Sequence, residues 1–568
     1  MNSKTRFFAL LLFSFSTTLF AQSIAQEMEN LLTASEVSYA QAARFILRAS
    51  DSFTTSNQDD AFWFAATRGW LPENTNPQDL SRLDGISLLL MRAFNIEGGL
   101  MYSVTKNAHY AYRELVYKNI IQGNTDPFMI ISGEQLVFFT GRVLAFRERE
   151  DEAAARYALE RRDAPVVKRP TPLSLDFGFL TTQQAIAFGN FKDRNDPLDE
   201  PEQNFEYRLG VTPRFLFILG NAGTFYASMG FTFWYDDEFF MIPEVLRTEL
   251  NLRFGGWGLS FGRFAYSDPL AFIADSLYDG FQITNSSPAG HFGLGAWYTG
   301  MLYKNNANII MSGSDRNLFI LPIDEDDYAN TYFAPRRFVA AFDWEHPSVG
   351  GLAQLNMSLI GQIDMNKDEE ARVDSQYLIL KLGLPLNNFT FVIGNAFGMI
   401  RSSNGLSAAW ACELRLHIPF NDLNSILSFT GRFASGGGEE SMFEGLGLGA
   451  FVPITTKYYG HIFKTSIIGI TTIAVDYQIR FSEIYGSNIN FTYFMRNDLS
   501  PVDHNLVVDS EEGKKLLGAE FYTQHNLSPF SDLQFVLGAG VFVPMFGDNW
   551  KDAKSIWRVD LTTIFALY

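Results

Sequence analysis

Cysteine occurs once in the 568 residues, at Cys412, which excludes an intrachain disulfide, and no cysteine–histidine cluster offers a structural zinc site. Histidine is scarce too: seven residues at positions 109, 291, 346, 417, 461, 504 and 525 form neither an H-E-x-x-H motif nor a close pair. Positive charge is in short supply, because 44 Lys and Arg against 63 Asp and Glu leave a formal charge of -19. That is the wrong sign for a nucleic-acid partner, whose phosphates need clustered cations. Beyond the N-terminus no stretch reaches the roughly 20 consecutive apolar residues of a spanning helix. These absences leave a chain held by packing and hydrogen bonds, with no expected cofactor or metal. It can cross a membrane only with strands, which must then close so that no backbone group is left unpaired in lipid.

The chain does have an export signal at residues 1–25: Lys4 and Arg6, then the apolar run Phe7 to Phe20, then Ala21, Ser23 and Ala25 before a cleavage point after Ser23 or Ala25. It is also rich in aromatics, 15% of the residues with 54 Phe and 23 Tyr. An abundance of that kind suits a membrane barrel, whose apolar outer wall is bordered by aromatic girdles.

Residues 26–145 carry an internal repeat. At an offset of 50 residues, Ala61 to Arg92 aligns without a gap on Ala111 to Arg142: Trp70-Leu71 meets Ile120-Ile121, Pro77 meets Pro127 and Asp84 meets Glu134. A further helix, Ser38 to Arg48, matches the second half of each unit 44 residues earlier. Each unit predicts two helices around a turn, with polar starts at Ser81-Arg82-Leu83-Asp84 and Ser132-Gly133-Glu134-Gln135. Asp84 and Glu134 are placed to favour helix N-termini. Residues 146–171 are a charged, helix-favouring linker with Glu152 four residues before Arg156, ended by Pro165 and Pro170.

From residue 172 the apolar period changes to two. Leu246, Thr248, Leu250, Leu252 and Phe254 alternate with Arg247, Glu249, Asn251 and Arg253; Trp410, Cys412, Leu414, Leu416 and Ile418 alternate with Ala411, Glu413, Arg415 and His417. Ile473 to Phe481 alternate with Asp476, Gln478 and Arg480, and Phe225 to Tyr235 with Tyr226, Ser228 and Thr232. The strands read as about 9 to 14 residues long, the length of a tilted membrane strand rather than a soluble one. Connections come in two sizes, short at 220–223, 385–388 and 421–422, long at 183–204, 312–333 and 499–515. At roughly 22 residues per strand and connection, residues 172–568 hold 16 or 18 antiparallel strands, and a barrel of that size keeps an aqueous lumen. The fold class expected is therefore mostly β: a large antiparallel transmembrane β-barrel after a small all-α domain. Arg247, Glu249, Arg253, Glu413, Arg415, His417, Asp476 and Arg480 are the candidate pore-lining residues.

The turn Asn119-Ile120-Ile121-Gln122-Gly123 and the helix start at Ser81 to Asp84 resemble the G-I-I-x-G and T-R-A-E segments of the S-layer-homology domain, over about residues 33–145. The resemblance implies that Arg82, with Asp84, binds a cell-wall polymer such as peptidoglycan, although Ser38 and Ser132 replace the arginine in the other two repeats. The closing segment Ile556 to Tyr568, with its terminal aromatic, resembles the signal read by the outer-membrane barrel assembly machinery. Together signal, helical domain, spacer and barrel resemble the outer-membrane porins that carry an S-layer-homology domain. The resemblance implies a barrel in outer-membrane lipid, a periplasmic domain tethering that membrane to peptidoglycan, diffusion of small hydrophilic solutes or ions, and an assembly open to homotrimers. A surface adhesin and a saccharide-specific transport barrel are the alternatives. Acidic loops at 236–238 and 324–327 predict a modest preference for cations. An enzyme is not expected: Gly258-Leu259-Ser260-Phe261-Gly262 matches a hydrolase elbow in letters, but it falls inside an alternating strand.

Overall fold

The computed structural model describes all residues except 1–30, 32–33, 56, 122–125, 153–172, 192–201, 221, 237, 325, 351, 367, 369, 387, 404, 421–422, 439–440, 442–446, 483, 501–514, 545–553 and 568. The export signal, most of the linker and Tyr568 thus lie outside the described residues. The chain divides into two compact units, a helical one up to Pro172 and a barrel that begins at Leu173.

The described helices of the first unit are α1 (Tyr39–Ala49), α2 (Gln58–Thr67), α3 (Leu83–Ala93), α4 (Leu100–Thr105), α5 (Ala108–Tyr117) and α6 (Gly133–Glu152). Their starts keep the sequence offsets, with α1 lying 44 residues before α3, and α2 and α3 lying 50 residues before α5 and α6. Helix α1 begins at a capping box, in which Ser38 N–H donates to Gln41 Oε1 (3.0 Å) and Gln41 N–H to Ser38 Oγ (3.3 Å). The same pair recurs before α6 as Ser132 and Gln135. Arg82 occupies the equivalent place before α3 and gives no side-chain cap.

The strands of backbone leading into these three helices bond to one another in a cycle. Val37 N–H donates to Ile131 O (3.2 Å), Ile131 N–H to Ser81 O (3.1 Å) and Ser81 N–H to Val37 O (2.8 Å). The repeats therefore close around a pseudo-threefold centre, and Ile46, Leu47, Phe62, Ile86, Leu89, Leu115 and Leu136 fill the core beneath it. Helix α6 runs past residue 145 into the charged segment, so the helical unit and the first part of the expected linker are one continuous element.

The second unit has eighteen strands: β1 (Leu173–Asn190), β2 (Gln203–Leu219), β3 (Gly223–Asp236), β4 (Glu238–Phe254), β5 (Trp257–Ser267), β6 (Asp275–Ser287), β7 (Gly290–Tyr298), β8 (Arg337–Val349) and β9 (Ala353–Asp364). The rest are β10 (Asp374–Leu386), β11 (Phe389–Ser402), β12 (Gly405–Phe420), β13 (Ser425–Ala434), β14 (Ile470–Arg480), β15 (Tyr485–Arg496), β16 (Leu516–Phe530), β17 (Leu533–Val543) and β18 (Ile556–Leu567). Each follows its sequence neighbour around one sheet, and β18 pairs antiparallel with β1 from Phe179↔Leu567 to Asn190↔Ile556. The sheet is thus a closed antiparallel barrel, the fold class the alternation implied.

Strand faces follow the period-two pattern. Outward positions are apolar and open, as at Phe177, Phe261, Leu294, Leu414 and Phe521, each about half exposed or more. Apolar patches of this extent on a protein wall mark a membrane or partner surface. At the rim with short connections an aromatic border runs through Phe217 and Phe225 (6.4 Å), the cross-strand pair Phe254↔Trp257, and Phe481 stacked on Tyr485 (5.3 Å). No helix among the described residues is long and apolar enough to cross a membrane.

Three expectations change. The strands span 9 to 18 residues rather than 9 to 14, because β1, β2 and β4 extend past the apolar belt. Residues 183–190 and 203–204, read as loop, belong to β1 and β2: Gln183, Gln184, Asn190, Gln203 and Asn204 are polar, but the backbone ladder continues through most of them. Leu246, read in the lipid phase, sits at a bulge. Ser228 pairs with Arg247 and Met229 with Val245, so Leu246 is the extra residue and its side chain lies over the inward position Gly230.

Candidate pore lumen and its constriction

The inward phase carries the charged side chains, and the eight sequence candidates fall into separate groups on it. On β4, Arg247 pairs with Glu249 and covers the Tyr226 ring at 4.8 Å, while Glu249 accepts from Asn251 Nδ2 (2.7 Å). Asn251 in turn accepts from Ser260 Oγ (2.6 Å), which leaves the serine of the elbow-like motif mid-strand in a cross-strand bond. Across the wall, Glu413 is buried and binds both Arg415 and Arg432 at 2.8 Å. His417, Ser428, Asp476 and Asn490 form one row over β12 to β15, with His417 Nδ1 bonded to Ser428 Oγ (2.7 Å) and Asn490 Nδ2 donating to Asp476 (2.5 Å). Arg253 and Arg480 stand at the short-turn rim, Arg480 Nε donating to Ser482 O (3.3 Å). No single ring unites them.

The lumen is instead narrowed by three connections that fold against the inner wall, and the sequence reading anticipated only part of one. Residues 268–274 follow β5, residues 299–336 follow β7 and hold the short helices α7 (Lys304–Ala307), α8 (Gly313–Ile320) and α9 (Tyr328–Thr331), and residues 435–469 follow β13. The second and third are tied to the barrel by a buried charge, and the first is folded by one of its own. The Asp268 carboxylate accepts the N–H groups of Leu270, Ile273 and Ala274 at 2.8 to 2.9 Å, which folds the first connection into a tight arch. Leu270 then reaches Gly394 on β11, and Lys381 Nζ on β10 donates to Pro269 O (2.8 Å).

Arg337, fully buried at the start of β8, holds the second connection through Asp315 (2.5 Å) and also meets Asp364 (3.1 Å). Arg263 grips Asp279 with two bonds of 2.8 and 2.7 Å and donates to Met301 O (2.9 Å) and to Val245 O beside the bulge (2.5 Å). The last bond gives a carbonyl beside the bulge a side-chain donor. Glu520, buried on β16, accepts the N–H groups of His461 (2.7 Å), Ile462 (2.8 Å) and Phe463 (2.9 Å), fixing the third connection. Phe463 packs on Phe542 (4.7 Å) and Phe494 (5.0 Å), and His461 stacks on Tyr522 (4.1 Å). Nearby, Arg558 pairs with Asp560 at 3.2 Å and Arg208 with Glu206 at 2.9 Å. Burial, together with the guanidiniums of Arg558 and Arg208, holds the Lys464 ammonium below the usual lysine range.

In the helical unit, Arg82 is half exposed and bonded to the buried Asp84 carboxylate (2.7 Å), with its guanidinium over the Phe128 ring at 4.5 Å. Asp84 also accepts from Gly85 N–H (2.8 Å), and Tyr39 Oη accepts from Arg82 N–H (3.3 Å). The two wall-binding candidates are thus one local cluster.

No protein-family model and no curated protein matches the chain. Among solved structures it is similar to Pseudomonas aeruginosa OccK5 (OpdH), with 10% identity, a TM-score of 0.45, and coverage of 69% of this chain and 99% of that one. A BenF-like porin from Pseudomonas fluorescens Pf-5 gives the same identity, score and coverage, and Pseudomonas aeruginosa OccK2 (OpdF) in complex with glucuronate gives 12%, 0.44, and the same shares. At such identities function has to be argued from this chain's own geometry.

Proposed function

We propose that this protein is an outer-membrane porin through which small hydrophilic solutes and ions diffuse. The observation that carries the reading is the closed eighteen-stranded barrel with an apolar outer wall and a charged inner one, narrowed by three inward connections. A packed soluble core would have the opposite polarity. Barrels with about 16 to 18 strands leave an aqueous channel, and inward charges set which solutes enter it. The connections at the β2–β3, β4–β5 and β6–β7 ends are a few residues long, which suits the periplasmic rim. The polypeptide enters β1 at that same rim, which supports a periplasmic helical unit. Planar-bilayer recording on the purified protein tests the pore: stepwise conductance is expected, and a silent bilayer at saturating protein overturns it.

The helical unit serves as a tether to peptidoglycan in this reading, with Arg82 presented by Asp84 and Phe128 as the contact. A planar guanidinium held on two sides is preorganised for carboxylate or amide oxygens of a wall polymer. The full-length protein in detergent is expected to pellet with purified sacculi, and Arg82→Ala to reduce the pelleted fraction several-fold. Equal pelleting of the two proteins would remove Arg82 from the contact.

A further inference from the structure

Two cavities open on the inner wall, of about 440 and 580 Å³, and Gln524 borders both. Their sizes lie within the range of about 300 to 1,000 Å³ that small-molecule sites occupy. Amides recur in the lining, with Asn424, Gln478, Asn488, Gln524 and Asn526 on the larger cavity and Gln184 and Gln524 on the smaller. Gln478, Asn488 and Gln524 stand directly opposite one another on β14, β15 and β16, so they form a transverse row on one face of the sheet. Gln524 Nε2 donates to Asn526 Oδ1 (3.2 Å), which extends the row toward the short-turn rim. On the far side of the smaller cavity, Gln184 and Thr562 are cross-strand partners on β1 and β18. Asn488 Oδ1 is buried and has no hydrogen-bond partner among the described residues.

A wall of this kind selects by chemistry. Each amide offers one acceptor and two donors, and a hydroxyl both donates and accepts, so an amide row can bond a polyhydroxylated ring in many registers as the solute advances. A bare ion uses only one sign of partner and gains less from it. The charges at the margin are largely neutralised: Arg558 is paired with Asp560, which also accepts from Tyr522 Oη (2.6 Å). Lys464 and His461 also line the smaller cavity, where an anionic solute would find nitrogen groups.

We propose that the amide row Gln478, Asn488 and Gln524, continued across the smaller cavity to Thr562 and Gln184, is a binding track for neutral saccharides on their way through the barrel. The proposal rests on the pore reading and deepens it. The track binds weakly and repeatedly, because conduction requires a site that a solute can leave.

Single-channel recording on the full-length protein tests it, with maltose and raffinose as neutral probes, glucuronate and inorganic phosphate as anionic ones, and a polyethylene glycol of matched size as the volume control. The expected result is a saturable block by the neutral sugars that the glycol does not reproduce. Gln524→Leu is expected to weaken that block by about fivefold, the effect of losing one hydrogen bond; Gln478→Leu provides the same test should the first variant fail to insert. Conductance steps without block by neutral sugars overturn the track and leave the pore intact. Block by glucuronate or phosphate alone also overturns it and assigns the wall to anions through Lys464. A bilayer with no steps at all overturns the pore reading itself, and the track with it.

Discussion

Glu520 is one residue in an alternating strand, yet it decides the position of a whole connection. Its two carboxylate oxygens take three consecutive N–H groups, from His461, Ile462 and Phe463, at a site closed to solvent. Hydrogen bonds to a charged acceptor contribute roughly 1.5 to 3 kcal/mol each, so removing the acceptor strands donors that have no water to turn to. Glu520→Gln replaces one oxygen with an NH2 group facing those donors and is expected to loosen residues 460–464 by about 3 kcal/mol. Local opening of such a segment is expected to appear as larger and noisier open-channel current, with the barrel itself still assembled. Unchanged conductance and noise would mean that the aromatic packing of Phe463 holds the connection alone. Nothing in the sequence distinguishes Glu520 from other inward polar residues, because its partners lie 57 to 59 residues away. The same is true of Arg263, whose role depends on a bulge on the neighbouring strand.

Elements were far more legible than side-chain roles, because periodicity is a local property. The runs at Trp410 to Ile418 and Ile473 to Phe481 alternate in the sense in which β12 and β14 present their two faces. The helical repeat was readable for a similar reason, since the offsets of 44 and 50 residues recur in the helix starts to the residue. What failed was reading polarity as loop. Gln183 to Asn190, with polar residues at Gln183, Gln184 and Asn190, run on through the ladder, because backbone bonds to β2 and β18 do not depend on side-chain character. Conversely, residues 447–469 are apolar enough to pass for strand and are assigned to none: Phe451, Ile454, Ile462 and Phe463 are buried inside the barrel, where a folded connection supplies its own small core. A segment whose apolar residues face neither lipid nor a helix has no period by which to be recognised.

At the scale of the whole molecule the decisive quantity is which wall faces lipid, and the single cysteine reports on it. Cys412 lies on β12 in the phase of Leu414 and Trp410, opposite in direction to Glu413, whose carboxylate binds two arginines of the inner wall. An outward thiol at mid-strand is surrounded by acyl chains in a membrane, out of reach of charged reagents. In proteoliposomes Cys412 is therefore expected to react with an apolar maleimide and to resist a charged methanethiosulfonate. Moving the thiol inward reverses the order: Gln524→Cys in a Cys412→Ser background is expected to react within seconds with the charged reagent, and conductance to fall as the adduct occupies the shared border of the two cavities. The two positions lie on opposite faces of the barrel wall, so the comparison separates the outside from the inside. Rapid modification of Cys412 by the charged reagent, or a protected Gln524→Cys, would require the barrel to be turned inside out, with its phenylalanines around water and its arginines in lipid, an arrangement that the cost of burying charge in hydrocarbon forbids.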